Sequence, residues 1–452
     1  MPISTPPPVD PASAAAPRRI RGNGALAHPL PAGMRDLMPV EASRQLAICR
    51  AVLESFERFG YEPVSVPPFE YAEVLEHDIG PLDAGQVLRF VEPETGEVVA
   101  LRPDMTPQIA RLVATRLADS PPPVRLCYEG AVVRRRVERA RRERQIHQAG
   151  FELVGKGGTP GDLEVLSVAA SAVRATGLGV FTLDLGHAKV AGSLIAGAAP
   201  EARTQIVEAL ATKDEEETRR RAERAGIRGR ELDALLALPG LYGGHEVWAR
   251  ADRVLSGTPA EEPSRELRKL YDATVAAGLW PNVVVDLGET WNFAYYTGML
   301  FQVLAEGPGE AIGSGGRYDS LFDRFGGARP AAGFAIDLGN LVWALDRAGD
   351  MGASRAKILV VTEAGDEPFG DAVLSELRRR GVRCAEGDVS TGLRYASAWR
   401  YSHYVVASAR GSALTSLDTG TTHPMNDSSP REVAEATLAL TQRSKSANSE
   451  GT

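Results

Sequence analysis

The sequence predicts a mixed α/β (α+β) chain with a large first domain and a smaller second one. Three observations predict this arrangement. Strand-like and helix-like patterns alternate towards both ends of the chain, the middle is helical in pattern, and the composition shifts near residues 349–354. The chain has 452 residues, 43% of them hydrophobic, which is enough for two or three domains with cores of their own.

The large domain is predicted to occupy residues 28–350, after a disordered tail of polar, Pro- and Ala-rich sequence at residues 1–27. Apolar residues at helical spacing predict a helix from Val40 to Phe59, which Gly60 ends. The patterns that follow predict, in order, an extended segment at 61–69, a strand at 98–101, a helix at 107–117, strands at 124–128 and 151–154, a helix at 163–176 and a strand at 181–185.

A helical insertion is predicted at about residues 188–277, where Ala, Leu, Arg and Glu dominate. Strands at 283–286, 299–304 and 331–336 and a helix at 337–348 then close the large domain. Residues 355–440 alternate between strand and helix patterns and predict a small α/β domain, although residues 412–429 have a poor strand pattern. The last residues, 441–452, are polar and predict a second disordered tail.

Composition excludes several classes of protein. The net charge of −8 argues against a broad nucleic-acid-binding surface. The three cysteines, Cys49, Cys127 and Cys384, are too few and too scattered for a disulfide framework or a zinc site, so we expect no metal and a reducing cytoplasm. The N-terminus lacks the apolar stretch of a secretory signal, and no apolar run is long enough to cross a bilayer.

The first of three unusual segments is Leu-Arg-Pro-Asp-Met-Thr-Pro-Gln-Ile-Ala-Arg at residues 101–111. Asp104 and Thr106 lie at a predicted strand-to-helix junction. An acid and a hydroxyl at this point can hold a ligand ammonium group, but they can equally be ordinary helix-capping residues.

The second segment, residues 134–152, is rich in arginine. Guanidinium groups are always charged and can bind phosphates through two parallel hydrogen bonds. A solvated hairpin loop accounts for the segment as well, because Glu138 and Glu143 reduce its charge. His147, in a strand-like flank, favours a structural role.

The third segment is residues 291–330, with Tyr295 and Tyr296 followed by Gly-Ser-Gly-Gly-Arg-Tyr-Asp at 313–319. Glycines before an arginine allow the backbone to approach a ligand, and adjacent tyrosines put one ring on each side of a strand. The segment lacks the glycine spacing of a dinucleotide-binding or phosphate-binding loop. A tight hairpin is the alternative.

In their order and spacing, these segments resemble histidyl-tRNA synthetase and related class II aminoacyl-tRNA synthetases. The resemblance covers about residues 29–348 and implies an antiparallel sheet flanked by helices. It rests on residues 31–36, 60–61, 67–70, 101–106, 147–152, 295–296, 315–319 and 333–336. Residues 355–440 resemble a degraded anticodon-binding domain.

The chain departs from the synthetase pattern where phosphate chemistry would be expected. Synthetases of this family use three arginines to stabilise the charge that develops during histidine activation. By the resemblance, those positions hold Cys127, Trp291 and Asn340. None of these side chains can make a forked contact with phosphate, and losing one such donor typically costs about 2–4 kcal/mol. We therefore expect no catalytic residues and no cofactor.

The positions that would bind the amino acid match the synthetase pattern better than the positions that would bind ATP. The resemblance implies that Asp104 and Thr106 contact the ammonium group of histidine, that Gln148 and Glu152 orient its polar groups, and that Tyr295 and Tyr296 frame its imidazole. Arg142 and Arg144 fall on ATP-site positions of the family and are candidate anion-binding residues.

A chain with a histidine pocket but no adenylation site resembles the regulatory subunits of ATP phosphoribosyltransferase. The amino-acid sequences of the segments are also more similar to that family than to the synthetases. The resemblance implies a non-catalytic role in the first step of L-histidine biosynthesis. The implied partner is the short-form catalytic subunit, in a hetero-oligomer of four subunits of each kind, with L-histidine as allosteric effector. Neither tRNA binding nor membrane attachment is expected. The alternatives are a histidyl-tRNA synthetase or a paralogue with an altered ATP site.

Overall fold

The computed structural model describes residues 30–76, 87–135, 143–290, 296–327, 329–349, 356–425 and 429–449. The chain divides into two compact units, Met1–Met351 and Gly352–Thr452. The tail predicted at residues 1–27 lies outside the described residues.

The first unit is built on a nine-stranded sheet, with a separate three-stranded sheet beside it in the same unit. Its strands are β1 (Glu62–Pro63), β2 (Phe69–Tyr71), β3 (Leu88–Val91), β4 (Val98–Leu101), β5 (Val124–Val133), β6 (Gln145–Val154), β7 (Thr182–His187), β8 (Tyr242–Gly243), β9 (Asn282–Asp286), β10 (Met299–Leu304), β11 (Gly313–Arg317) and β12 (Ala331–Asp337). The large sheet has the order β1-β5-β6-β12-β11-β10-β7-β9-β8, and the small one β2-β4-β3. All neighbours in the large sheet are antiparallel except β1 with β5 and β7 with β9.

The helices of the first unit are α1 (Pro39–Arg58), α2 (Ala72–Glu76), α3 (Thr106–Arg116), α4 (Gly158–Ala175), α5 (Ala188–Leu194), α6 (Pro200–Ala211), α7 (Glu215–Arg224), α8 (Gly229–Ala237), α9 (Val247–Leu255), α10 (Glu261–Ala277) and α11 (Leu338–Arg347). Helices α5 to α10 follow one another between β7 and β9, with only the short β8 among them. The class II synthetase-like architecture predicted from the sequence, an antiparallel sheet flanked by helices, is confirmed.

One face of the large sheet is apolar and covered by helices. Phe151 on β6 lies against Phe56 of α1, with ring centroids 4.9 Å apart, and against Phe334 of β12 at 6.0 Å. Phe334 in turn stacks on Phe301 of β10 at 5.6 Å. Because side chains alternate along a strand, the residues between these aromatics point to the opposite face. That opposite face carries glycines and polar side chains.

The second unit contains a five-stranded sheet of order β14-β13-β15-β16-β17. Its elements are β13 (Lys357–Thr362), α12 (Glu367–Arg379), β14 (Arg383–Gly387), α13 (Gly392–Ala398), β15 (His403–Ala407), β16 (Ser412–Ser416), β17 (Thr422–Met425) and α14 (Pro430–Ser449). Strands β14, β13 and β15 are parallel to one another, β16 pairs antiparallel with β15, and β17 pairs antiparallel with β16.

The structure adds short elements that were not predicted, such as α2 and β3, and it differs from specific predictions in four further ways. Residues 412–416 and 422–425 pair as a hairpin despite their Ser- and Thr-rich composition, because alternate residues such as Leu414 are buried against the second unit's core. Helix α14 continues to Ser449, where a disordered tail from residue 441 was expected. The Gly-rich segment forms the central strand β11 rather than a tight hairpin. Strands β5 and β6 are longer than predicted, since residues 129–133 pair with residues 145–149.

No helix among the described residues combines the length and the apolar character that a membrane crossing requires.

We predict that Phe151→Ala destabilises the protein by about 3–5 kcal/mol, because the side chain is fully buried and joins α1, β6 and β12. Chemical denaturation measures this loss. The matched control is Phe59→Ala, at an exposed position just after α1, which we expect to change the free energy of unfolding by less than about 1 kcal/mol. Equal losses in both variants would contradict this account of the core.

Candidate functional site

The candidate site is centred on Glu152, whose side chain points from β6 to the polar face of the large sheet and is 1% exposed. Three hydroxyl groups hydrogen-bond its carboxyl group. Thr106 Oγ1 donates to Oε1 at 2.7 Å, the Tyr128 hydroxyl donates to the same oxygen at 2.9 Å, and the Tyr318 hydroxyl donates to Oε2. These donors come from α3, β5 and the segment after β11, so the carboxyl group links three separate parts of the fold.

Burial raises the pKa of Glu152 to about 8. The hydrogen bonds from Tyr318, Thr106 and Tyr128 lower the pKa, but they do not offset the loss of hydration, and the nearby Asp104 raises it further. The group is therefore mainly protonated at neutral pH in the ligand-free protein. A cationic or N–H-donating ligand beside it would favour the charged form.

Glycines make room for this arrangement. Gly333 on β12 pairs with Glu152, and a Cβ atom at this position would overlap the Glu152 Oε2 atom. Gly316 on β11 pairs with Gly333, and a Cβ there would lie 2.6 Å from the ring of Tyr296. Close packing on the floor of the site thus explains Gly316, whereas a Cβ atom at Gly313 or Gly315 would meet the rings of Phe334 and Phe301 on the apolar face.

Asp104 and Thr106 lie together at the start of α3. Met105 occupies the N-cap position of α3, and no side chain there bonds a backbone amide of the first turn. The Thr106 hydroxyl instead donates a hydrogen bond to Glu152. A purely capping role for Thr106 is therefore wrong. Asp104 is half-buried and its Oδ1 accepts from the Met105 amide at 2.7 Å. Burial raises the pKa of Asp104, while the nearby Arg134 guanidinium acts in the opposite direction.

Gln148 lies on the same face of β6 as Glu152, four residues earlier, and is 7% exposed. In the part of the chain that the structure describes, no donor reaches its Oε1 atom. An unsatisfied buried amide oxygen costs about 1–3 kcal/mol, so a ligand donor at this point would be favourable. Tyr296 is half-buried beside Gly316, whereas Tyr295 lies outside the described residues.

The arginines of the site differ in role. Arg317 is buried and tied to Asp162, with Nε and Nη2 both on Oδ1 at 2.8 and 2.6 Å, and to Asp319 at 3.1 Å. It therefore supports the strand rather than offering a free cation. Arg144 Nε donates to the Arg134 carbonyl at 3.1 Å. Arg142 lies outside the described residues.

The proposed loss of an arginine at Cys127 is not supported by the geometry. Cys127 is fully buried on the opposite, helix-covered face of β5, with its Sγ 3.7 Å from the Tyr61 carbonyl oxygen. Its identity therefore carries no information about the ligand face. The arginine near Asp104 is Arg134, whose Nε donates to the Pro103 carbonyl at 3.4 Å. Sheet alternation could have identified it, because Arg134 continues the series of Tyr128 and Gly130.

Asn340, which the resemblance places at an arginine position of the synthetases, is a small neutral group on α11. It is 3% exposed and its Nδ2 donates to the Ala311 carbonyl at 2.9 Å. Trp291 lies outside the described residues. Sequence reasoning missed Tyr128 and Tyr318 as partners of Glu152. Tyr318 stands in the third segment, whereas Tyr128 lies in the predicted strand at 124–128.

Comparison with known proteins first defines the class. The family model for histidyl-tRNA synthetase matches residues 33–341. A solved structure from Bacillus halodurans, described as an ATP phosphoribosyltransferase regulatory subunit/histidyl-tRNA synthetase, superposes with a TM-score of 0.73 at 25% identity, over 85% of this chain and 99% of the other. Histidyl-tRNA synthetase from Nostoc sp. PCC 7120 has the same TM-score at 20% identity, over 93% of this chain and 100% of the other, which shows the shared fold. The fold is that of the class II histidyl-tRNA synthetases.

Curated relatives narrow this class. The ATP phosphoribosyltransferase regulatory subunit of Syntrophotalea carbinolica is 33% identical over 83% of this chain and 90% of its own length. The protein of the same name from Anaeromyxobacter sp. (strain Fw109-5) is 44% identical over 71% of this chain and 93% of its own length. The chain therefore belongs to the family of ATP phosphoribosyltransferase regulatory subunits.

We predict that Glu152→Gln changes the pH dependence of stability. Since the folded pKa of about 8 lies above the ordinary 4.5, the contribution of Glu152 is complete below pH 4.5 and is lost as the pH rises towards 8. The variant lacks this loss, which amounts to as much as roughly 5 kcal/mol. Urea denaturation across this pH range measures it. A Glu201→Gln control on the exposed side of α6 should follow the unmodified protein, and identical curves for all three proteins would refute the assignment.

We also predict that Gly333→Ala disrupts the site, because the new methyl group would occupy the position of the Glu152 carboxyl group. We expect a loss of stability of about 1–3 kcal/mol, typical of overpacking. Thermal unfolding provides the measurement. The matched control is Gly197→Ala, where a Cβ atom meets nothing within 4 Å. A Gly333→Ala variant as stable as the control would show that the floor of the site is not close-packed.

Proposed function

We propose that this chain is the non-catalytic regulatory subunit of ATP phosphoribosyltransferase. In this proposal it activates the short-form catalytic subunit and transmits feedback inhibition by L-histidine in the first step of L-histidine biosynthesis. The observation that carries the proposal is the match to relatives of that name over 90% or more of their own length. The proposed setting is the cytoplasm, in a hetero-oligomer of four subunits of each kind, without tRNA.

The geometry supports L-histidine as the ligand. Asp104 provides a half-buried carboxyl group suited to an ammonium group, and Gln148 provides a buried acceptor without a partner among the described residues. In the proposal, Glu152 accepts a hydrogen bond from the imidazole as it loses its proton, while Tyr295 and Tyr296 frame the ring. Thr106 acts through Glu152, since its hydroxyl already donates to that carboxyl group.

The proposed absence of catalysis rests on Asn340 alone, because Cys127 faces the helices and Trp291 lies outside the described residues. Asn340 cannot provide the forked contacts with phosphate that an arginine makes, and it is already bonded to a backbone carbonyl. Arg134 and Arg144, in contrast, remain near the site and are candidates for anion binding. Because these two arginines could contact the phosphates of ATP, histidyl-tRNA synthetase is the second candidate function.

Regulation by histidine requires that the amino acid bind one state of the complex better than another. The site is suited to this because its central carboxyl group joins α3, β5 and the segment after β11. A ligand that changes the protonation of Glu152 changes hydrogen bonds in all three elements. The proposal therefore places the switch at the floor of the site.

The test is a reconstitution with the short catalytic subunit encoded in the same genome, following formation of phosphoribosyl-ATP with and without histidine. We expect activity that depends on this chain and falls with histidine. Asp104→Asn should raise the histidine concentration for half-inhibition by about tenfold or more, because a charged hydrogen bond contributes about 1.5–3 kcal/mol. Activation without histidine should remain.

The matched control is Asp119→Asn, on an exposed turn after α3, which should leave inhibition unchanged. A chain that has no effect on the transferase but supports histidine-dependent exchange of pyrophosphate into ATP would overturn the proposal in favour of the synthetase. Activation that histidine does not reduce would refute the regulatory part alone.

A further inference from the structure

Three side chains with metal-binding atoms meet on the helix-covered face of the large sheet, opposite the site described above. They are Cys49 on α1, Glu129 on β5 and His147 on β6, and their ligand atoms all lie within 4.8 Å of one another. The His147 Nε2 and Glu129 Oε2 atoms are 2.6 Å apart. Cys49 is 5% exposed, whereas the Glu129 and His147 side chains are 47% and 36% exposed.

The fold brings these residues together by simple register. Glu129 pairs with Ala149 and His147 pairs with Ala131, so the two side chains are diagonal neighbours on one face of the β5–β6 hairpin. Helix α1 packs on this face through its buried side, which includes Cys49, Val52 and Phe56. The expectation of no zinc site rested on cysteine spacing along the chain, and spacing cannot reveal ligands from three separate elements.

We propose that Cys49, Glu129 and His147 bind a zinc ion, with the fourth position open to solvent. Thiolate, imidazole and carboxylate are the donor groups that zinc uses in proteins. One thiolate and one carboxylate balance the two positive charges of the ion, so the bound site is neutral. The exposed sides of Glu129 and His147 leave a path for the metal and room for a water ligand.

The distances are compatible with zinc after small side-chain rotations. Tetrahedral zinc with its usual bond lengths separates its ligand atoms by about 3.3–3.6 Å. The 2.6 Å separation between His147 and Glu129 is shorter than this, and the 4.8 Å limit of the cluster is longer. Glu129 is exposed and can rotate to open the pair, while Cys49 is held in place by α1.

A nucleophilic or redox role for the cysteine is less consistent with its surroundings. Burial, and then the nearby Glu129, raise the pKa of the Cys49 thiol to about 11, and Arg50 only partly opposes them. A thiol with so high a pKa is a poor nucleophile at neutral pH. A zinc ion between Cys49 and Glu129 would displace the thiol proton as it binds, and it would clamp α1 to the hairpin that carries Gln148 and Glu152.

The test uses the full-length chain, stripped of metal with a chelator and titrated with Co²⁺ and then Zn²⁺. We expect one equivalent of Co²⁺ to bind and to produce a thiolate-to-cobalt charge-transfer absorption, which Zn²⁺ abolishes. Zinc should also raise the midpoint of thermal unfolding in proportion to the logarithm of its concentration above the dissociation constant. Cys49→Ser should remove the charge-transfer band and weaken zinc binding by at least about 100-fold.

The matched control is Cys127→Ser, a fully buried cysteine on the same face of β5 and outside the cluster. This variant should retain the band and the affinity. If Cys49→Ser does not fold, the exposed changes Glu129→Gln and His147→Gln provide the test, because each should weaken zinc binding at least about tenfold while leaving the thiolate band at saturating Co²⁺. The proposal is overturned if neither metal binds at micromolar concentrations, or if binding is unchanged in the Cys49→Ser, Glu129→Gln and His147→Gln variants.

Discussion

A carboxyl group buried on the floor of a sheet must be compensated by its neighbours, and the first unit is organised around that requirement. Glu152 is almost fully buried, and hydroxyl groups from Thr106, Tyr128 and Tyr318 replace the water it has lost. Those hydroxyls do not keep the acid charged, since burial still raises its pKa to about 8. The result is a buried polar group that holds several elements in position.

The glycines follow from the same requirement. The carboxyl group of Glu152 occupies the space above Gly333, and the ring of Tyr296 lies above Gly316. A side chain on either glycine would move the groups that form the floor. On the other face of the same strands, Phe151 and Phe334 pack beneath helices. One alternating pattern therefore produces both the core and the site.

The general architecture could be predicted because its signals are local. Helix α1 spans Pro39–Arg58, within one residue of the predicted 40–59, and β4 and β10 match the predicted strands at 98–101 and 299–304. The hairpin of β16 and β17 could not be predicted, because its Ser and Thr residues give little hydrophobic alternation and its stability comes from pairing within the sheet. The same holds for β11, whose glycines indicate a turn until its neighbours on both sides are known.

Residue type and motif order allowed part of the candidate site to be proposed, whereas the direction in which each side chain points could not be read from the sequence. Thr106 hydrogen-bonds Glu152, and Gln148 lies four residues earlier on the same face of β6. The expectation that Cys127 replaces a phosphate-binding arginine is wrong, because order along the chain does not show which way a strand side chain points. On β5, Tyr128 and Gly130 face the site, so Cys127 and Glu129 must face α1.

This alternation has consequences on both faces. Cys127 points away from the candidate site, whereas Arg134 lies beside Asp104. The alternation also turns Glu129 and His147 towards Cys49. The opposite directions of successive side chains on β5 and β6 thus determine which residues line the candidate site and which lie in the Cys49 cluster.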